Sequence, residues 1–181
     1  MHVLDIAQNS VAAGSTLTHI SVCIDTRAKK LTLTVTDNGK GMSKELLARV
    51  TDPFTTSRTT RRVGLGLPLL KMAAQLTGGD VQITSEVGRG TTVCVWFTLG
   101  HIDLAPLGDM SGTMAGLIQC SPDIDFVYTV TADGESFTAD TREMRGILGP
   151  EVSLAQPEVA LWLRGYFTEN TQELLKRSNV L

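Results

Sequence analysis

Apolar and polar positions alternate along the first hundred residues in ways that predict helices and strands. Residues 2–13 carry apolar side chains at helical spacing, and residues 18–26 alternate as a half-buried strand does. The same reasoning predicts strands at 31–35, 81–85 and 91–99, and helices after Ser43 and at 65–76. We therefore expect a two-layer α/β core that ends near residue 100.

The pattern changes after Gly100. Asp133 and Gly134 strongly indicate a hairpin turn between strands predicted at 126–131 and 135–139. Helices are predicted at 110–120, 141–148 and 157–176. We interpret 1–100 as one domain and 101–181 as a small α+β C-terminal appendage, in which Trp162, Tyr166 and Phe167 are expected to form core rather than a docking face.

Composition and charge narrow the functional classes. The chain has 181 residues, of which 42% are hydrophobic and 19% charged, with a formal charge of −3. No basic block indicates a nucleic-acid surface, and the apolar runs are far shorter than the roughly 20 residues of a membrane span. No signal peptide is recognised, so a cytoplasmic location is expected. The three isolated cysteines predict neither a disulfide framework nor a zinc site, and Cys94 is expected to be buried within its strand.

The first candidate site lies on the N-terminal helix. Asp5 and Asn9 are four residues apart, which places them on one helical face. A carboxylate and an amide oxygen suit hydrated Mg²⁺, which prefers hard oxygen ligands and keeps several waters. Two polar residues on a solvated helix face are the simpler alternative for this pair taken alone.

The second candidate site is a glycine-punctuated turn that follows a strand. Asp37 offers a carboxylate that accepts hydrogen bonds, as from the exocyclic amine of adenine, while Gly39 and Gly41 allow the backbone to approach a flat ring. Met42 closes this turn. The Thr91 hydroxyl, at the start of the last core strand, is placed to contact the ring through water. Ordinary turns are the alternative for both segments.

The third candidate site is a polar segment that enters a helix at Gly64, Leu65, Gly66 and Leu67. Free N–H groups at a helix N-terminus attract phosphate. The candidate phosphate donors upstream are Thr55, Thr56 and Arg58, with further Thr, Ser and Arg residues up to Arg62. The two better-known phosphate loops, GxxxxGK[ST] and GxGxxG, do not occur in this sequence, and a solvated loop is the alternative here.

Taken in order, the four segments LDIAQNSVAAG, DNGKGM, DPFTTSRTTRRVGLGL and GRGTTV resemble the motif boxes of the GHKL superfamily of ATPases. The resemblance implies a mixed sheet with helices on one face and a site for ATP and Mg²⁺. It implies that Asn9 binds Mg²⁺, that Asp37 binds adenine with Thr91 in support, and that Gly64 and Gly66 end a lid over ATP. The DPFTT segment followed by GLGL resembles the histidine-kinase branch, whereas the first box is closer to the mismatch-repair ATPases.

The sequence departs from this family in two respects. The hydrolases of the family place a Glu general base at the position of Asp5, and aspartate is one methylene shorter. Slow hydrolysis, or binding without hydrolysis, is therefore expected. Neither a phosphoacceptor helical hairpin nor the strand that commonly precedes the first box is recognised, which leaves the completeness of the N-terminus open. His101 is more simply a loop histidine than an acceptor.

These observations predict a Mg-ATP-binding, histidine kinase-like protein that regulates a partner by phosphotransfer or by slow ATP hydrolysis. The alternatives are an ATP-driven conformational switch, an anti-sigma-like serine kinase and a degenerate module that binds no nucleotide. The expected partners are ATP and an unidentified protein, without nucleic acid or membrane. The acceptor, the oligomeric state and the role of residues 101–181 stay open.

Overall fold

The computed structural model describes residues 3–51 and 66–178, which form six helices and six strands. The helices are α1 (Val3–Ala12), α2 (Lys44–Leu47), α3 (Gly66–Leu76), α4 (Met110–Cys120), α5 (Thr141–Leu148) and α6 (Pro157–Arg177). The strands are β1 (Leu17–Asp25), β2 (Lys30–Asp37), β3 (Asp80–Glu86), β4 (Gly90–Thr98), β5 (Asp125–Ala132) and β6 (Glu135–Asp140). The predicted helices and strands are all present in this set.

Local chemistry explains several element boundaries. Ser43 begins α2 as predicted, because its hydroxyl accepts a hydrogen bond from the Leu46 amide at 3.3 Å. Asp109 caps α4 in the same way through the Gly112 amide, at 2.7 Å. Asp133 and Gly134 both have positive φ, as the tight β5–β6 hairpin requires.

All six strands form one mixed sheet in the order β3-β4-β2-β1-β5-β6. Strands β1 and β5 are parallel, and their register runs from Leu17 opposite Asp125 to Ile24 opposite Ala132. The other neighbouring pairs are antiparallel. The strands after residue 100 therefore extend the sheet of the first hundred residues.

The two faces of the sheet differ in polarity. Alternate residues of the strands lie under the helices, and the core there includes Ile20, Leu33, Val95 and Phe126, all at or below 1% exposure. The other face is mostly half-exposed Ser, Thr and Cys, so the fold is the expected two-layer α/β sandwich with helices on one face. The expectation that Cys94 is buried was wrong, because the register places it on this polar face opposite Thr34.

Helices α4 and α6 pack against each other over the C-terminal strands. Phe167 is 1% exposed and meets the Tyr128 ring edge-on at 5.6 Å, which confirms it as core. Tyr166 is half-buried, whereas Trp162 is 48% exposed. The core expectation was therefore wrong for Trp162, since α6 is amphipathic and this side chain lies outside its buried stripe.

Candidate nucleotide-binding site

Asp37 is the buried polar centre of the site. It is the last residue of β2, and strand alternation turns its side chain toward the helices, where it is 8% exposed. The Ser10 hydroxyl on α1 donates to Oδ2 at 2.9 Å, and the Gly39 amide donates to Oδ1 at 2.9 Å. Each carboxylate oxygen keeps further acceptor capacity, so the group is held in one orientation and can still accept from a ligand.

The turn after Asp37 is tied to two neighbouring elements. The Lys40 amide donates to the Ala13 carbonyl at the end of α1, at 3.0 Å, and the Lys40 carbonyl accepts from the Gly88 amide in the β3–β4 hairpin, at 2.8 Å. A Cβ at Gly39 would lie 2.8 Å from that of Ala13. The turn is therefore confined between helix and hairpin although it has no regular secondary structure.

Gly41 and Gly90 are also required by the packing of the backbone. Both have positive φ, and a Cβ at Gly41 would overlap the Glu86 carbonyl, while one at Gly90 would overlap the Asp37 carbonyl. Only glycine allows these backbone segments to pack so closely. The structure thus gives these glycines a packing role that the motif alone did not indicate.

Thr91 belongs to a small hydroxyl network. Its Oγ1 lies 2.8 Å from the Oγ of Ser85, which accepts from the Met42 amide at 2.8 Å and donates to the Gly90 carbonyl at 2.9 Å. A hydroxyl carries one hydrogen, so when Ser85 donates to Gly90, Thr91 must donate to Ser85. The free lone pairs of Thr91 then make it an acceptor toward a water or a ligand.

Asp5 and Asn9 are both exposed on α1. A Cβ on Gly66, the first residue of α3, would lie 3.4 Å from the Cβ of Asp5, so the N-terminus of α3 meets α1 beside this pair. Leu67 is half-buried and packs on the core. The remaining predicted residues, Thr55, Thr56, Arg58, Gly64 and Leu65, lie outside the described residues.

The donor set fits a nucleotide with a hydrated metal better than a resident metal centre. Among residues 3–51 and 66–178, no group of three or more His, Cys, Asp or Glu side chains lies close enough to hold a metal ion. Magnesium bound with phosphates needs only one or two protein oxygens, because the phosphates and waters fill its other positions. Asn9 and Asp5 would supply such oxygens, next to the phosphate-attracting N-terminus of α3.

Two residues of the site, Ser10 and Ser85, had no role assigned from the sequence. Ser10 falls on the buried side of α1 with Ile6 and Ala7, where a polar residue must have a partner. Ser85 pairs with Thr91 across β3 and β4. A small hydroxyl at a buried helix position is a pattern that could have indicated Ser10, whereas Ser85 depends on the strand register.

Comparison with known proteins identifies the family of the region that contains these residues. Residues 2–101 match the model of the family described as histidine kinase-, DNA gyrase B-, and HSP90-like ATPase. This match covers more than half of the chain and includes the described elements α1 to β4. The chain belongs to this family of ATPases, and ATP binding by this domain is therefore supported.

The curated relatives are longer kinases. The chain is 34% identical over 93 residues to sporulation kinase D of Bacillus subtilis, covering 51% of this chain and 18% of that protein. It is 40% identical over 105 residues to the sensor protein kinase FleS of Pseudomonas aeruginosa, covering 58% of this chain and 25% of that protein. The chain thus spans a quarter or less of the length of these relatives, and the similarity is to an ATP-binding, kinase-like domain.

A solved structure extends the fold comparison. The crystal structure of the N-terminal domain of a DNA repair protein matches with a TM-score of 0.56 at 15% identity, over 76% of this chain and 50% of that one. This likeness concerns the fold alone. Because it covers more of the chain than residues 2–101 contain, part of it lies in the C-terminal region. In the described residues, no helix is long and apolar enough to cross a membrane.

Proposed function

We propose that this chain binds Mg-ATP and regulates a separate partner protein, either by phosphoryl transfer or by slow ATP hydrolysis. The observation that supports this most is the Asp37 carboxylate, oriented by Ser10 and Gly39 within a glycine turn that can approach a flat ring. In the proposal Asp37 accepts a hydrogen bond from the exocyclic amine of adenine, and Thr91 accepts one through water.

The phosphates lie at the other end of the proposed complex. Asn9 supplies an oxygen to Mg²⁺, the N-terminus of α3 faces the phosphates, and the lid donors Thr55, Thr56 and Arg58 complete the charge neutralisation. Phosphoryl transfer depends mainly on positioning and on stabilising negative charge, which these groups provide. Gly64 and Gly66 end the proposed lid, and Leu67 packs on the core in the first turn of α3.

Nucleotide binding is tested by thermal unfolding with Mg-ATP and with Mg-GTP. At about a hundred times its Kd, ATP is expected to stabilise the chain by about 2.7 kcal/mol. Guanine has a carbonyl where adenine has the amine, so GTP should stabilise much less. Asp37→Asn should abolish the ATP shift while the unliganded protein keeps its fold, as its far-ultraviolet circular dichroism would show. Equal shifts with ATP and GTP would overturn the assignment of Asp37.

Hydrolysis is tested at Asp5. In the proposal this carboxylate orients the attacking water less well than a glutamate, whose side chain reaches one methylene further. Asp5→Glu should raise the rate of phosphate release by about tenfold or more, and Asp5→Asn should abolish it, with ATP binding kept in both variants. An Asp5→Asn variant that hydrolyses as fast as the wild type would exclude this role.

A conformational switch without phosphoryl transfer is the second candidate, and one contact favours it. Helix α1, which carries Asp5 and Asn9, packs against α4 of the C-terminal region. A shift of α1 on binding or hydrolysis of ATP would therefore move the surface against which α4 packs. Labelled phosphate appearing on a co-incubated protein supports the kinase, whereas nucleotide-dependent partner binding without labelling supports the switch.

A further inference from the structure

Strand β6 forms an unpaired edge of the sheet. Among the described strands it pairs only with β5, so the backbone groups along its outer side are open to another chain. Its sequence, Glu135 to Asp140, contains neither the Lys nor the Pro that commonly protects such edges. An extended peptide can add to an edge of this kind as a further strand.

Three aromatic rings contact one another in series on the helix side of the sheet, beginning with Phe137 on this edge strand. Phe137 of β6 lies opposite the buried Val130, and its ring meets that of Tyr166 on α6 at 5.7 Å. The Trp162 ring stacks on Tyr166 at 5.4 Å with an interplanar angle of 19°. The three rings thus form a continuous row that starts at β6 and ends at Trp162, which is 48% exposed.

Helical periodicity places acidic residues on both sides of these rings. Residues 158, 162, 166, 169 and 173 fall on one stripe of α6, and Tyr166 shows that this stripe faces β6. The stripe reads Glu158, Trp162, Tyr166, Glu169 and Glu173, and it ends at Lys176 in the last turn of the helix. Within the described part of the chain, neither Glu158 nor Glu169 has an ion-pair partner.

The C-terminal region as a whole is negatively charged, like Glu158 and Glu169. Residues 101–181 contain twelve acidic and five basic side chains, a formal charge of −7 with His neutral, whereas residues 1–100 contain seven acidic and eleven basic side chains, +4. A segment that docks at this end of the molecule is therefore favoured when it is basic, and an acidic one is repelled.

We propose that the β6 edge and this stripe of α6 form a docking surface for an extended, basic segment of a partner protein. The segment adds a strand beside β6. Its side chain opposite Phe137 points to the helix side and packs on Tyr166 and Trp162, while flanking Lys or Arg residues face Glu158 and Glu169. The proposal does not depend on the nucleotide site.

The experiment selects a random-peptide library on the full chain and measures each enriched peptide by fluorescence anisotropy. The selected peptides are expected to carry Lys or Arg around an apolar residue. Trp162→Ala should weaken their binding by about tenfold or more, as expected for an aromatic hot spot. The matched control is Leu161→Ala, since Leu161 is 72% exposed and adjacent but lies outside the stripe; it should change affinity by less than about twofold.

Two further measurements separate the parts of the surface. The double variant Glu158→Gln, Glu169→Gln should weaken binding at low salt and flatten its salt dependence, because it removes the screened attraction. Two versions of each peptide are methylated on the backbone nitrogens of either the odd or the even residues. The version whose methyl groups block the N–H groups facing β6 should lose affinity, and the other should keep it. Far-ultraviolet circular dichroism and melting temperature show that each variant is folded.

Three results would overturn the proposal. Peptides that bind the Trp162→Ala variant as tightly as the wild type would place the site elsewhere. An acidic or uncharged consensus would contradict the charge argument. A wild-type dimer in sedimentation velocity that becomes a monomer in the Trp162→Ala variant would show that a second copy of this chain covers the surface.

Discussion

The nucleotide half of the molecule and its C-terminal half share one sheet but use their polar residues differently. In residues 3–100 key polar groups lie inside, with Ser10 only 2% exposed and bonded to the Asp37 carboxylate. In residues 101–178 most charged side chains are exposed, as is the aromatic Trp162, although the Asp125–Arg145 ion pair is half-buried. Buried polar networks fix the geometry of a site, whereas exposed aromatic and charged groups suit contact with another molecule.

The largest expected effect comes from removing a core residue from the C-terminal half. Phe167→Ala leaves a cavity under Tyr128 and should lower the free energy of unfolding by about 3–5 kcal/mol. Because β1 and β5 pair and the core is shared, the whole chain should unfold in one transition. Chemical denaturation is followed by circular dichroism and by retention of ATP. A separate, unchanged transition for the ATP-binding part would contradict this.

Gly90→Ala tests the close packing in the nucleotide half. The new Cβ would overlap the Asp37 carbonyl at a φ of +109°, so we expect a loss of about 2–3 kcal/mol in the free energy of unfolding. Gly88→Ala is the matched control, since Gly88 also has positive φ but has open space around its Cβ position. It should cost about 1 kcal/mol. Equal losses would show that backbone strain alone matters.

Ser10→Ala removes the hydroxyl that orients Asp37. A lost hydrogen bond to a buried carboxylate should cost about 2 kcal/mol of stability, and ATP affinity should fall by about tenfold because the adenine acceptor is no longer fixed. Isothermal titration measures the affinity and urea unfolding the stability. Ser21→Ala, on the uncovered face of β1, should change neither by more than a few tenths of a kcal/mol; matching effects from the two serines would exclude an orienting role.

The smallest expected effect is a pH dependence in the C-terminal half. Burial raises the pKa of Tyr128 to about 12, from an ordinary value near 10. The unfolded chain therefore loses this proton first as the pH rises, and stability present below pH 10 is lost progressively toward pH 12. Wild type should lose about 1 kcal/mol more than Tyr128→Phe between pH 9 and pH 11. If the free energy of unfolding of the two proteins changed equally with pH, the role of Tyr128 would be disproved.

Much of the fold could be predicted because its elements are defined locally. Met110–Cys120 and Thr141–Leu148 are helices with the predicted bounds, since apolar spacing and flanking turn residues lie within each segment. The pairing of β5 with β1 could not be predicted in this way, because no local pattern specifies which distant strand becomes a neighbour. For the same reason the sequence did not indicate that the strands after residue 100 continue the sheet of the first hundred residues.

The residues of the candidate site divide in the same way, and their roles toward ATP stay predictions. Asp37 and its glycines were found because they form a contiguous motif, and the structure places Asp37 in a buried, oriented position. Ser85 was missed because its contacts to Met42 and Thr91 join three segments of the chain. Trp162 was misplaced because the burial of an aromatic residue on a helix depends on which face meets the sheet, and that face is set by packing rather than by composition.

The parallel pairing of β1 with β5 also has a consequence for the order in which the molecule folds. Leu17 begins β1 a few residues after the end of α1, yet its partner Asp125 lies more than a hundred residues later in the sequence. A pairing of such long sequence separation forms slowly, because the loop between its ends must close first. During synthesis, the central strand next to the nucleotide site therefore has one edge open until β5 has emerged from the ribosome.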